Sequence, residues 1–286
     1  MNVNKILITG ATGNIGSQLI KILSDKNIPV SAGIKDLENC RNQNTKKITN
    51  VNLNFEDQTT FNAALKGVKI LFLVRPPAIS NVKKNIYPFI DCAVESGVRQ
   101  IVFLSLMGVE SNPITPHYKI EKYILQKNLT YTFIRPSFFM QNLSTTHYED
   151  IKYKNEIFVP ARNGKTSFID VRDIAQITAL ALTSKVYLNK SLELSGSEAL
   201  NYYEVAAIFT EVLGRKITYR NPSMLTFFLR LRKRKIQGKF IFVMIALYTV
   251  CKFGKAAKIS TTFKEYVHKD PITFRQFVVD NKKCWI

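Results

Sequence analysis

The chain has 286 residues, 46% hydrophobic and 22% charged, with a formal net charge of +20. That balance excludes an intrinsically disordered chain, and the length allows one elaborated α/β unit whose core needs no staples. Four dispersed cysteines (Cys40, Cys92, Cys251 and Cys284) contain no CxxC pair, so neither a disulfide framework nor a metal site is expected.

Lys5 to Thr9 is a short apolar run of strand type that ends in a glycine. No signal-peptide core precedes it, and the longest apolar run, Phe240 to Cys251, falls short of the roughly 20 residues of a spanning helix, so a cytoplasmic protein is expected. Apolar residues at 15, 19, 20, 22 and 23 predict a helix over Ile15 to Leu23. Strand composition returns at Pro29 to Ile34, and Val51 to Phe55 alternates weakly. Phe61 to Leu65 reads as a short helix ending near Gly67. Val68 to Val74 is almost wholly apolar, as a strand covered on both faces should be. A helix over Ile86 to Ser96 closes at Gly97, followed by a buried strand at Gln100 to Ser105. Tyr118 to Gln126 is a helix, and Tyr131 to Arg135 a strand stopped by Pro136. Further on, Ser167 to Val171 and Leu192 to Ser195 read as strands and Ile174 to Thr183 as a helix. Tyr202 to Leu213 is a helix closed by Gly214, Arg215 to Arg220 is strand-like, and Met224 to Lys258 is helical and basic.

Strand and helix therefore alternate through the first half, which predicts right-handed βαβ crossovers. The expected fold is α/β: a Rossmann doubly wound parallel sheet with a smaller, mostly helical C-terminal substrate-binding part. Residues 1–140 are expected to form the core of this sheet. Residues 141–286 return some strands and helices to that core and form the substrate pocket.

The turn Thr9-Gly10-Ala11-Thr12-Gly13-Asn14-Ile15-Gly16 joins the first strand to the first helix. Gly10 permits a tight turn, Gly13 lets the backbone approach a pyrophosphate, and Gly16 lets the helix pack closely on the sheet. The free N–H groups at the helix start attract phosphate. A glycine triplet alone is a weak signal, but strand before and helix after make it a dinucleotide site. At the end of the second strand, an acidic residue would bind an NAD ribose and a basic one the NADP 2′-phosphate. The sequence there is Gly33-Ile34-Lys35-Asp36, so NADP(H) is favoured, with Lys35 and Arg41 as ligands. NAD(H), held through Asp36, is the alternative.

The Gly10 to Gly16 segment resembles the fingerprint of extended and atypical short-chain dehydrogenase/reductases. Later segments resemble their NmrA-like branch, which includes NAD(P)H-dependent quinone reductases and cofactor-sensing regulators. These are Val74-Arg75-Pro76-Pro77, Leu104-Ser105-Leu106-Met107-Gly108, His117 to Ile124, Arg135-Pro136-Ser137-Phe138-Phe139-Met140-Gln141-Asn142, Asp170 to Ala175, Pro271 to Phe277 and Trp285. The resemblance spans essentially the whole chain. It implies that the cofactor runs over Gly10, Thr12, Gly13, Asn14, Ile15 and Gly16, with Phe55 or its neighbours beside the adenine. Val74, Arg75 and Pro76 would pass the nicotinamide ribose. Ser105, Leu106 and Met107 with Phe138 and Phe139 would border the nicotinamide and the substrate, and Met140 has the character of a pocket residue.

Short-chain dehydrogenases use Ser, Tyr and Lys, the last two spaced YxxxK so that one helical turn brings them together. Tyr118 and Lys122 have that spacing, and Ser105 supplies a third member. The register disagrees: aligning the family's helix Glu on Glu121 puts the Tyr position on Pro113 and the Lys position on His117. His117, Ser105 and Tyr118 remain the catalytic candidates. His117 pairs with Glu121 at i, i+4, and is read as holding the cofactor ribose, as donating a proton near neutral pH, or as a helix-start histidine with a structural bond. Arg135 reads as an ion-pair hub. Asp173 reads as a helix cap salt-bridged to Arg172.

Between Glu211 and Glu265 there is no acidic residue, and thirteen Lys and Arg. A solvated basic face is the plain reading, and a weak contact with an anionic surface through Arg230 to Lys239 the sharper one. No helix-turn-helix or RNA-binding signature points to a specific nucleic acid. The expected activity is NAD(P)H-dependent reduction of a small-molecule acceptor of quinone or carbonyl type, by a monomer or homodimer. The alternative is an NADP(H)-binding sensor without turnover.

Overall fold

The computed structural model describes residues 5–37, 45 and 47–286. Arg41 and Cys40 lie outside the described residues. In chain order the elements are β1 (Lys5–Ile8), α1 (Asn14–Asp25), β2 (Val30–Ile34), β3 (Ile48–Asn52), α2 (Phe61–Leu65), β4 (Val68–Val74), α3 (Val82–Asn85), α4 (Tyr87–Glu95), β5 (Gln100–Leu104), α5 (Pro116–Leu125) and β6 (Thr130–Pro136). Then follow β7 (Phe138–Phe139), α6 (Tyr148–Lys154), β8 (Glu156–Phe158), β9 (Phe168–Ile169), α7 (Val171–Thr183), β10 (Lys190–Leu194), α8 (Tyr202–Leu213), β11 (Thr218–Arg220), α9 (Met224–Lys233), α10 (Gly238–Lys252), α11 (Thr262–Val267) and α12 (Phe274–Asp280).

The chain divides into two compact units. One holds the residues up to Pro136 together with Ile174–Glu193, the other Ser137–Asp173 and Leu194–Ile286. The chain comes back to the first unit because β10 adds to its sheet, whose strand order is β10-β6-β5-β4-β1-β2-β3. From β3 to β6 every neighbouring pair is parallel, as the alternation of strands and helices predicted. β3 begins three residues earlier than its weak alternation suggested, because its register is fixed by pairing Val30 with Ile48 through Ile34 with Asn52.

The winding reverses between β1 and β4. In open α/β sheets that reversal opens a crevice at the carboxyl ends of the strands, where ligands bind. The first unit's core explains the apolar runs: Leu71 and Leu73 of β4 and Ile101 and Phe103 of β5 are buried against Phe61, Phe89, Ile90 and Ile120. α1 buries Ile15, Gly16, Leu19, Ile20 and Leu23 on one stripe, the helical pattern read from the sequence.

In the second unit β7 pairs with β9 and β8 with β11, both parallel. α8 starts with a capping box between Asn201 and Glu204 and ends at Gly214 in the left-handed region (φ 69°). The helical stretch expected from Met224 to Lys258 is two helices. α9 stops because Lys235 turns left-handed (φ 60°), with the Lys235 N–H donating to Arg232 O and the Ile236 N–H to Leu231 O. That is a Schellman stop with lysine where glycine is usual, so composition did not mark it.

Candidate cofactor site

The glycine turn sits at the carboxyl end of β1. Gly10 takes φ +61°, and the Gly13 N–H donates to Gly10 O (3.0 Å), closing the turn. Gly13 is the N-cap of α1, no side chain caps this helix start, and the first turn carries no acidic group. Thr12, Gly13 and Asn14 are exposed. The helix head therefore presents uncapped N–H groups and its dipole to an incoming anion. A Cβ on Gly16 would lie 2.2 Å from Gly10 O and 2.9 Å from the Ala11 Cα, so only glycine allows the turn to fold this tightly on the helix.

Beside β1 lies β4, tied to it by Thr9: the Val74 N–H donates to Thr9 Oγ1 (2.7 Å). Arg75 follows, and its Nη1 donates to the carbonyls of Pro76, Pro77 and Ile79 at 2.9, 3.2 and 2.7 Å. These bonds fold Arg75 to Ile79 into a fixed loop. Beside β4 lies β5, followed by Ser105, whose N–H donates to Ile134 O, and Met107, whose N–H donates to Pro136 O. Arg75 Nε and Ser105 Oγ are buried and have no hydrogen-bond partner among the described residues. Buried polar atoms are nearly always satisfied, so two orphans at the ends of adjacent strands fit a polar ligand. The glycine cradle and this pair together fit a dinucleotide: the turn and α1 would hold its pyrophosphate, Arg75 and Ser105 its nicotinamide half.

Lys35 lies just past β2, as expected, but it is not free. Its ammonium donates to Glu56 Oε2 at 2.5 Å, and that bond holds the Glu56 carboxyl below its usual range. Phe55 is spent in the core, edge-on to Phe89 with ring centroids 5.0 Å apart. Little of its ring is left to flank an adenine, which corrects that expectation.

α5 starts at Pro116, two residues before the predicted boundary, because Thr115 caps it by accepting from the Tyr118 N–H. The His117 to Glu121 pairing does not form. Glu121 is taken by Arg135, which donates Nε to Oε1 (3.0 Å) and Nη2 to Oε2 (2.7 Å) and reaches Glu110 with Nη1. Arg135 is the hub the sequence suggested. Burial and the nearby Arg75 guanidinium push the His117 imidazole down to about 3. It is therefore neutral at pH 7, which removes it as an imidazolium acid and leaves it a hydrogen-bonding group. The Lys122 ammonium lies over the face of the Tyr118 ring, 5.4 Å from its centroid. Among the described residues no hydrogen bond joins Ser105, His117 and Tyr118.

A pH test follows from His117. Its folded value lies below the unfolded value of 6.5, so the folded state binds fewer protons as acid is added. The stability it contributes is full above about pH 6.5 and drains away as pH falls toward 3. The melting temperature of His117→Gln should fall less steeply than wild type between those limits, and parallel curves would show that the ring is solvated. No limb of a rate profile near pH 6.5 should vanish in this variant.

Phe138, Phe139 and Met140 belong to the second unit. The two phenylalanines form β7 and are half-buried. Met140, 1% exposed, is a core residue and not a pocket wall, because the turn after β7 directs it into the cluster around Phe168 and Tyr202. In the same unit Arg172 pairs with Asp170 (Nη2 to Oδ2, 2.7 Å), not with Asp173. Asp170 also accepts from the Arg172 N–H, while Asp173 accepts from the Ile272 N–H. The cap and ion pair thus sit three residues earlier than expected. Asp150, which no motif singled out, is buried between Arg230 and Arg234. Its i,i+4 neighbour Lys154 also reaches it (3.5 Å), but the two arginines that bury it lie some eighty positions away, which no local pattern shows.

Comparison with known proteins agrees with this reading. The NmrA-like family profile matches residues 2–272. The chain is 30% identical over 291 aligned positions to agroclavine dehydrogenase of Claviceps fusiformis, covering 98% of each. It is 31% identical over 220 positions to an NAD(P)H azoreductase of Xenophilus azovorans, covering 75% of this chain and 76% of that one. An Escherichia coli NADPH-dependent quinone oxidoreductase complexed with NADPH has the same fold (TM-score 0.87, 22% identity, 97% and 99% covered). The glycine turn, the parallel sheet and the match over nearly the whole length place this chain in the NmrA-like family.

Proposed function

We propose that this chain is an NADPH-dependent oxidoreductase that reduces a small quinone or a related conjugated carbonyl acceptor. The observation that carries the reading is the juxtaposition at the carboxyl ends of β1, β4 and β5: an uncapped helix head behind a glycine turn, and the unpartnered Arg75 Nε and Ser105 Oγ beside it. The dehydrogenase and azoreductase relatives are named as redox enzymes, which supports it. When bound, the nicotinamide supplies the hydride. The chain's own work is binding and alignment. Arg75 and Ser105 would anchor the nicotinamide half, and neutral His117 would add a hydrogen bond without giving up a proton. A quinone tolerates this, because solvent can protonate the reduced oxygen once the hydride has moved.

That no hydrogen bond joins Ser105, His117 and Tyr118 among the described residues favours a second reading, a cofactor-binding sensor without turnover. Titration with NADPH followed by a quinone such as menadione separates them. Oxidation on quinone addition supports the reductase, binding without oxidation across an acceptor panel supports the sensor, and no binding refutes both.

Lys35 supports NADP(H) over NAD(H). A 2′-phosphate would have to share its ammonium with Glu56 or displace that carboxylate. Lys35→Ala should cost NADPH about tenfold in affinity and NADH nothing, the loss of one charge-assisted bond. Glu56→Gln, which releases the ammonium, should raise NADPH affinity a few-fold. An unchanged NADPH to NADH ratio in Lys35→Ala would move the preference to NAD(H).

A further inference from the structure

The outer side of α10 is apolar where a surface helix should be polar. Its inner side buries Ile241, Met244, Tyr248 and Cys251. Its outer side exposes Phe240, Val243, Leu247 and Val250, which at i, i+3, i+7 and i+10 form one stripe, with Phe242 (63% exposed) and Phe253 (68% exposed) beside it. α9 extends the patch through exposed Leu225 and Leu229, and Phe228 packs on Phe242 with ring centroids 5.3 Å apart. A helix apolar all round is normally covered.

The charge around the patch says what covers it. Lys233, Lys235 and Lys239 lie in and beside the turn between α9 and α10, exposed and without an ion pair among the described residues. Lys233 continues the line of Leu225 and Leu229, and Lys239 heads the outer side of α10. Arg230 and Arg234, by contrast, are consumed by Asp150 and Glu156, so the basic run is sorted into internal and outward cations. No carboxylate occurs from position 212 to 264 to offset the outward ones. An apolar stripe on a hairpin whose own charges are all cationic suits a surface that is apolar beneath and anionic above. A second copy would bring two rims of the same sign together in a chain of net charge +20, and a nucleic acid would leave the stripe in water. No helix of the described residues is long and apolar enough to cross a membrane. We infer that the α9–α10 hairpin docks this protein on an anionic lipid bilayer, with the α10 stripe at the acyl boundary and Lys233, Lys235 and Lys239 among the headgroups.

The test is co-sedimentation with phosphatidylcholine vesicles, with and without phosphatidylglycerol. Wild type should partition onto the anionic vesicles at low salt, and less as salt rises. Lys233→Ser, Lys235→Ser and Lys239→Ser together should lower that partition about a hundredfold, each surface cation being worth about fivefold. Val243→Glu with Leu247→Glu should abolish it while melting temperature and NADPH affinity stay at wild-type values. Val243→Ser with Leu247→Ser, a milder change, should weaken it in the same direction. The inference is overturned if wild type ignores anionic vesicles or if binding survives both stripe variants. It is equally overturned if ultracentrifugation shows a dimer that the glutamates dissociate, with no vesicle binding.

Discussion

Gly13→Val is expected to weaken NADPH binding about a hundredfold, near 2.7 kcal/mol, while the protein still folds. The backbone at Gly13 (φ −79°, ψ 172°) is extended, a conformation valine adopts readily. A Cβ there would meet only Gly10 O, at 3.2 Å. The branched side chain would instead stand over the uncapped N–H groups of α1, where a pyrophosphate has to sit. Gly16→Ala makes the contrast. Its Cβ would strike the backbone of Gly10 and Ala11, so it should lower stability by at least about 1–3 kcal/mol as well as binding. Fluorescence titration with thermal melts separates the two effects. Wild-type affinity in a folded Gly13→Val would mean that the turn holds no dinucleotide.

Arg135→Ala is expected to cost about 3–5 kcal/mol of stability. The Glu121 side chain is 6% exposed and its two oxygens are met by Arg135. Removing the guanidinium strands a carboxylate in the interior, and a melting point roughly 10 °C lower should follow. The double change Arg135→Met with Glu121→Met should recover most of the loss, because removing both charges leaves none unpaired. Urea unfolding of the single and double variants measures it. A loss below about 1 kcal/mol in Arg135→Ala would show that water or another cation reaches Glu121. The pair also matters for function. It pins α5 to the end of β6, and α5 carries His117 one turn before Glu121. Arg135→Ala should therefore weaken cofactor binding even where the protein remains folded.

The sequence by itself determined what short-range physics decides. Strand composition at Lys5 to Thr9, Val68 to Val74 and Gln100 to Ser105, with the helical stripe from Ile15 to Leu23, located the sheet and its first helix. The spacing of Gly10, Gly13 and Gly16 between strand and helix located the tight turn and the uncapped helix head, since both are built from adjacent residues. Arg135 could be read as a hub because a guanidinium inside an apolar strand must find an acid. Its partner could not, because which carboxylate faces it depends on how α5 packs on β6. The same holds for Lys35, whose ammonium meets Glu56 from the end of another strand, and for Met140, whose burial depends on a turn and a distant cluster. The protonation of His117 follows from the Arg75 charge and from burial, neither of which is a property of its neighbours in sequence. The sorting of the basic run into Arg230 and Arg234 within, Lys233, Lys235 and Lys239 without, was likewise settled by the tertiary contacts of the two arginines with Asp150 and Glu156. Spacing fixes what lies within a turn of helix or a step of strand, whereas charge and burial are set through space by residues the chain brings back from far away.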